Sequence, residues 1–92
     1  MKKNITINMQ GRLYAIDEDA YNLLKQYEDS LRNYFANKEG GHEIVDDIEA
    51  RIAELFDEVV ARGKVAIDIN DVENIVTRMG APRDMDEPQD EG

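Results

Sequence analysis

The sequence predicts an α+β domain, a β-hairpin packed on three helices with the second helix central. Three observations predict it. Residues 4–16 alternate polar and apolar about a Gln10-Gly11 turn. Residues 43–62 carry an apolar stripe at helical spacing. Asp17, Gly40-Gly41, Gly63, Asp68 and Gly80 stand where helices begin and end. With 92 residues in all, one small core is the expectation. Residues 1–82 are read as a single domain. Residues 83–92, acidic and with almost nothing to bury, are read as a disordered tail or linker.

In NITINM, residues 4–9, Ile5, Ile7 and Met9 share one face. RLYAI, residues 12–16, is the return strand. A two-residue loop sets Ile7 opposite Tyr14 and Ile5 opposite Ile16. A three-residue loop would instead turn Leu13 and Ala15 inward. The first register buries the larger pair and is preferred. An isolated hairpin is marginal in water, so this face must lie on helices.

Asp17 suits an N-cap, and Glu18 and Asp19 suit the positive end of the helix dipole. The first helix is expected from about Glu18 to Lys38. Ala20, Leu24, Tyr27, Leu31, Tyr34 and Phe35 form its stripe, with Tyr21 beside it. These tyrosines read as core rings with hydroxyls at the water boundary, rather than as a ligand platform. Gly40-Gly41 is expected to end the helix as a left-handed cap. His42, the single histidine, is read as an exposed loop residue.

The second helix is expected from Glu43 to Arg62. Ile44, Ile48, Ile52, Leu55 and Val59 fall in one stripe. Val45, Phe56 and Val60 widen it to roughly 160°, against the roughly 100° that one flat contact needs. A helix gripped from two sides follows. Its other face carries acids and the pairs Asp47–Arg51 and Glu58–Arg62; Glu28–Arg32 is a similar pair on the first helix. Gly63 closes the helix. Residues 64–67, KVAI, are a candidate third strand at the hairpin edge. Asp68 with Asp71 makes a capping-box variant for a last helix, Ile69 to Met79. Its apolar side is Ile69, Val72, Ile75, Val76 and Met79. Gly80 caps it and Pro82 blocks continuation.

The chain holds 21 acids against 11 bases, a net charge of −10. Such a surface repels phosphate backbones and anionic headgroups, so neither nucleic-acid nor membrane contact by these residues is expected. A helix-turn-helix reading of the last two helices fares poorly: the would-be recognition helix has Arg78 as its one base against Asp71 and Glu73. With no cysteine there is neither a disulfide nor a thiolate metal site. No stretch is long and apolar enough for a membrane span, and the start lacks the apolar run of a signal peptide.

Calcium-loop spacing fails from both Asp17 and Asp68. Glu43, Asp46 and Asp47 could approach a divalent ion, but neighbouring carboxylates on an exposed helix are usually solvated. Phosphate-loop, dinucleotide, metalloprotease and hydrolase motifs are missing from the sequence. No catalytic residue, cofactor or metal ligand is assigned, and the chain is read as non-enzymatic.

The stretches MKKNITINMQGRLYAIDEDAY and GGHEIVDDIEARIAELFDE carry a resemblance. A K-x-x-x-I-N start at Lys3, Ile7 and Asn8 leads to I-D-E-D-A-Y at Ile16 to Tyr21. D-I-E-x-R-I-A-E-L-F follows at Asp47 to Phe56, then D-V-E at Asp71 to Glu73. The chain resembles, over about residues 1 to 82, the N-terminal region of Bacteroidetes proteins with a phage-shock-protein-C (PspC) domain. Asp47 to Phe56 is the most specific part.

The resemblance implies a cytoplasmic module ahead of a membrane-embedded segment, in proteins labelled stress-responsive transcriptional regulators. The PspC segment itself is not in this sequence, so inner-membrane location belongs to a longer parent. The resulting expectation is a regulatory or protein-interaction module of the envelope-stress response. The alternative is a DNA-binding regulator domain. Val45, Phe56 and Val60 are the candidate interaction surface. The partner is expected to be another protein or a second copy in a weak homodimer, recruited by helix packing or at a strand edge.

Overall fold

The computed structural model describes residues 3–81, and the acidic segment 83–92 lies outside them. Strands β1 (Asn4–Met9) and β2 (Arg12–Asp17) form an antiparallel hairpin, followed by helices α1 (Glu18–Phe35), α2 (Gly41–Ala61) and α3 (Ile69–Met79). Ile7 pairs with Tyr14 and Ile5 with Ile16, the register of the two-residue loop. Gln10 and Gly11 both take positive φ, 55° and 82°, as a primed hairpin turn requires. Asn8 secures that turn by accepting the Gly11 N–H at 3.1 Å. Tyr14, Ile16 and Met9 are buried on the helix-facing side, while Leu13 points to solvent.

Asp17 stands at the α1 N-cap with extended backbone, though its side chain makes no capping hydrogen bond there. Ala20, Leu24, Tyr27, Leu31 and Phe35 are buried along α1, and Tyr34 is half-buried. The helix stops at Phe35, short of the expected Lys38. Lys38 N–H returns to the Phe35 carbonyl at 3.2 Å, and Gly41 N–H to the Lys38 carbonyl at 3.0 Å.

The two glycines therefore serve α2 rather than capping α1. Gly40, at φ 72°, is the α2 N-cap. Gly41 opens the helix, and His42 lies in its first turn, exposed, instead of in a loop. A Cβ at Gly41 would sit 2.1 Å from the Phe35 carbonyl oxygen. Only glycine permits this approach of one helix start to another helix end.

Helix α2 buries Val45, Ile48, Ile52, Ala53, Leu55, Phe56 and Val59, the largest share of the core from any element. Helix α1 packs on both other helices and on β2, most closely on α3. Centrality is thus divided: α2 supplies the largest single share of core side chains and α1 the closest backbone approach to the other helices. Gly63, at φ 97°, turns the chain out of α2 as expected.

Residues 64–67 do not form a third strand. They contribute one parallel bridge, in which Ile67 accepts from Asp17 N–H and donates to the Ala15 carbonyl, both at 2.9 Å. Pairing ends there because Asp68 begins the cap of α3. Asp68 Oδ1 accepts the Asp71 N–H at 2.9 Å, and Asp71 Oδ2 accepts the Asp68 N–H at 3.0 Å, closing a capping box. Lys64 donates to both carboxylates. Helix α3 buries Val72 and Ile75 and ends at Gly80, whose carbonyl accepts the Tyr27 hydroxyl at 2.8 Å.

Surface ion pairs mix spacings: Lys25 meets Asp29 at i,i+4, 3.5 Å apart, while others do not follow that spacing. Arg51 meets Glu54 at 3.2 Å, and Arg32 reaches Asp29 at 3.7 Å and Glu49 at 3.0 Å. Long side chains on exposed faces choose among several acids, and such pairs contribute little to stability.

Two substitutions test this packing. Ile52 is fully buried, so Ile52→Ala should destabilise by about 2–5 kcal/mol in a urea melt. A loss below about 0.5 kcal/mol would mean that α2 does not anchor the core. Gly41→Ala, usually favourable inside a helix, should here cost about 1–3 kcal/mol because the methyl group meets backbone.

Candidate interaction surface

The three residues expected to form a surface are not brought together as one. Phe56 is fully buried and meets Tyr14 edge-on, with ring centroids 5.4 Å apart. Val45 is buried beside the α1–α2 turn. Val60 alone is open, at 44% exposure. The wide arc of α2 is largely consumed by α1 on one side and the hairpin on the other. Val45 and Phe56 are therefore core residues, and the expectation for them is corrected.

Apolar exposure falls elsewhere. Leu13 is 69% exposed on the outer face of the hairpin, and Val65 is 90% exposed between α2 and α3. Neither stood out in the sequence. Leu13 was legible only as the residue that the preferred register turns outward.

The hairpin also leaves a strand edge. Ala15 and Asp17 bond outward to Ile67, so on β2 the backbone of alternate residues faces away from β1. Antiparallel pairing imposes the same parity on their partners Thr6 and Asn4, and on Asn8 opposite Leu13. These three β1 residues direct N–H and C=O groups away from the hairpin, and no backbone group among the described residues bonds them there.

Beside β1 runs an open groove of about 310 Å³. Ile7 and Met9 of β1 form one wall; Tyr21, Leu24, Glu28 and Arg32 of α1 and Glu49 of α2 line the other, with Asn8 and Gln10 at the hairpin end. Burial pushes the Glu28 carboxyl up to about 7, and the charge of Glu49 adds to the shift. Arg32 opposes this only in part, since its guanidinium also serves Glu49 and Asp29. A second open concavity, of about 730 Å³, lies at the α1–α2 turn, between Phe35, Val45 and His42.

The opposite side of the hairpin is tied down by polar contacts. Tyr14 donates to Asp57 Oδ1 at 2.6 Å, with the Ala53 carbonyl at 3.2 Å, and Arg12 pairs with Asp57. Burial, then Asp57, raises the Tyr14 phenol above its ordinary value. Burial alone pushes Tyr27 up to about 12. Both hydroxyls are thus held as neutral donors, a structural use rather than an acid–base one. Among the described residues no three acidic or histidine side chains gather as metal ligands, and no helix is long and apolar enough to cross a membrane. No protein-family model matches the chain, and neither does any curated protein or solved structure.

The groove generates a pH prediction. Glu28 titrates at about 7 in the fold against an ordinary 4.5. The folded state therefore holds this proton more tightly than the unfolded chain. The associated stability is full below the ordinary value and is lost as pH rises through the folded one. The loss should be on the order of 1–2 kcal/mol after allowance for solvent at a half-buried site. Glu28→Gln should flatten the fall between about pH 5 and about pH 8 in paired urea melts. Parallel profiles for the two proteins would show that Glu28 titrates normally.

Proposed function

We propose that this domain is a non-enzymatic regulatory and protein-interaction module, acting in the cytoplasm as part of a longer PspC-type envelope-stress protein. The observation that supports an interaction role is what folding leaves outside. An uncapped strand edge at β1 and the exposed side chains Leu13, Val60 and Val65 remain after the core is filled. The envelope-stress setting rests on the resemblance at Ile16–Tyr21 and Asp47–Phe56, and the membrane-embedded segment belongs to the parent. The partner is another protein or a second copy. A membrane-bound parent would strengthen weak pairing by raising local concentration.

The DNA-binding alternative has charge against it. The chain carries a net −10, and α3 offers Arg78 against Asp71 and Glu73. A domain that reads duplex DNA neutralises several phosphates with clustered Lys and Arg. Fluorescence anisotropy with labelled duplexes near physiological salt should show no saturation up to about 100 μM protein, weaker than ordinary non-specific binding. Sub-micromolar, sequence-dependent binding would replace this reading with that of a regulator acting on DNA directly.

A further inference from the structure

We propose that the outer edge of β1 is a strand-addition site for an extended basic segment of another protein, seated on Asn4, Thr6 and Asn8 and reaching into the groove beside Ile7. The proposal deepens the interaction reading above and rests on it. The edge supplies the backbone ladder. Asn4, Thr6 and Asn8 present N–H and C=O groups in register, and β1 contains neither a charge nor a proline. Charged residues and prolines are the usual devices that prevent such pairing. Main-chain bonds give an added strand its affinity, and pockets for alternate side chains give it selectivity.

The helical layer stops short on this side of the hairpin. Ile16 on β2 is fully buried, whereas Ile5, its partner on the same face of β1, is 36% exposed. Ile7 is half-buried and opens onto the groove. An added strand would place alternate side chains over this uncovered apolar rim.

Charge selects the occupant. Glu28 and Glu49 stand in the groove from neighbouring helices; Arg32, which lines it with them, is engaged by Glu49 and Asp29 and leaves Glu28 without an ion pair of its own among the described contacts. A lysine or arginine on the inward side of the added strand would meet Glu28. A second copy of this chain would instead bring another net −10 and another Glu28 to the same edge. A basic segment with interspersed apolar side chains fits all three features.

The test uses a fluorescein-labelled decapeptide of repeated Lys-Thr-Val-Thr, read by anisotropy on the full chain at low salt. Lysine and valine then alternate on one face, and threonines occupy the other. Two analogues carry backbone N-methyl groups, either on every threonine or on every lysine and valine. Only one set of amides can face β1, so one analogue should lose about tenfold or more while the other stays within about threefold. Replacing lysine with glutamate should abolish saturation, and Glu28→Gln, checked for folding by circular dichroism, should weaken the parent peptide by about three- to tenfold.

Equal binding of the two methylated analogues would reduce the effect to diffuse charge attraction and overturn strand addition. Equal binding of the glutamate peptide, or unaltered affinity in Glu28→Gln, would overturn the basic occupant. Sedimentation showing a dimer that the peptide dissociates would assign the edge to a second copy instead. Each of these results would leave the broader interaction reading standing, which duplex binding alone would remove.

Discussion

Everything in this small domain depends on the docking of Tyr14 onto α2. A two-stranded hairpin does not persist alone in water. Here its inner face is held by one ring that packs edge-on against Phe56 while its hydroxyl reaches Asp57 and the Ala53 carbonyl. The ring supplies apolar burial and the hydroxyl supplies direction. The contact fixes which side of the hairpin meets the helices, and so the inward place of Ile16 and the outward place of Leu13. It also draws Arg12 against Asp57, so that β2 is fastened to α2 by both packing and charge.

The opposite end is closed by a different device. Tyr27 of α1 donates to the Gly80 carbonyl just beyond α3, satisfying an orphan acceptor that a helix end would otherwise leave to solvent. At the start of α3, Asp68 and Asp71 exchange backbone bonds and share Lys64. Ile67, directly before that cap, bonds β2 on both its N–H and its C=O. A short stretch thus links sheet edge, cap and helix. Local hydrogen bonding of this kind suits a chain whose core is limited by its length.

The two sides of the hairpin consequently differ in character. The β2 side is sealed by Tyr14, Ile16 and the bridge to Ile67. The β1 side ends in an open ladder beside a groove where burial disfavours the charge on Glu28. Such asymmetry brings the partly exposed Ile5 and Ile7, outward backbone groups and the Glu28 carboxyl together on one side of the hairpin. Regions of this kind serve recognition more readily than support.

Much of the fold was legible in the sequence because its signals are local. Alternation and a two-residue loop determined the hairpin register, since a slip by one residue would expose Tyr14 and Ile16. Periodicity marked Leu24, Leu31, Phe35, Ile48, Ile52 and Leu55 as core, and capping chemistry placed α3 between Asp68 and Gly80. What only the tertiary structure decided depends on distances between elements remote in the chain. The approach of Phe35 to Gly41 determined that the glycine pair starts α2 rather than ending α1. The extent of helix and hairpin coverage determined that Val45 and Phe56 are core while Val60 stays open. The candidate site was the least legible part: an amphipathic arc states how much surface is apolar, but not which neighbour covers it. The environment of Glu28 is likewise set by Glu49 across a helix interface, and no local pattern encodes that meeting.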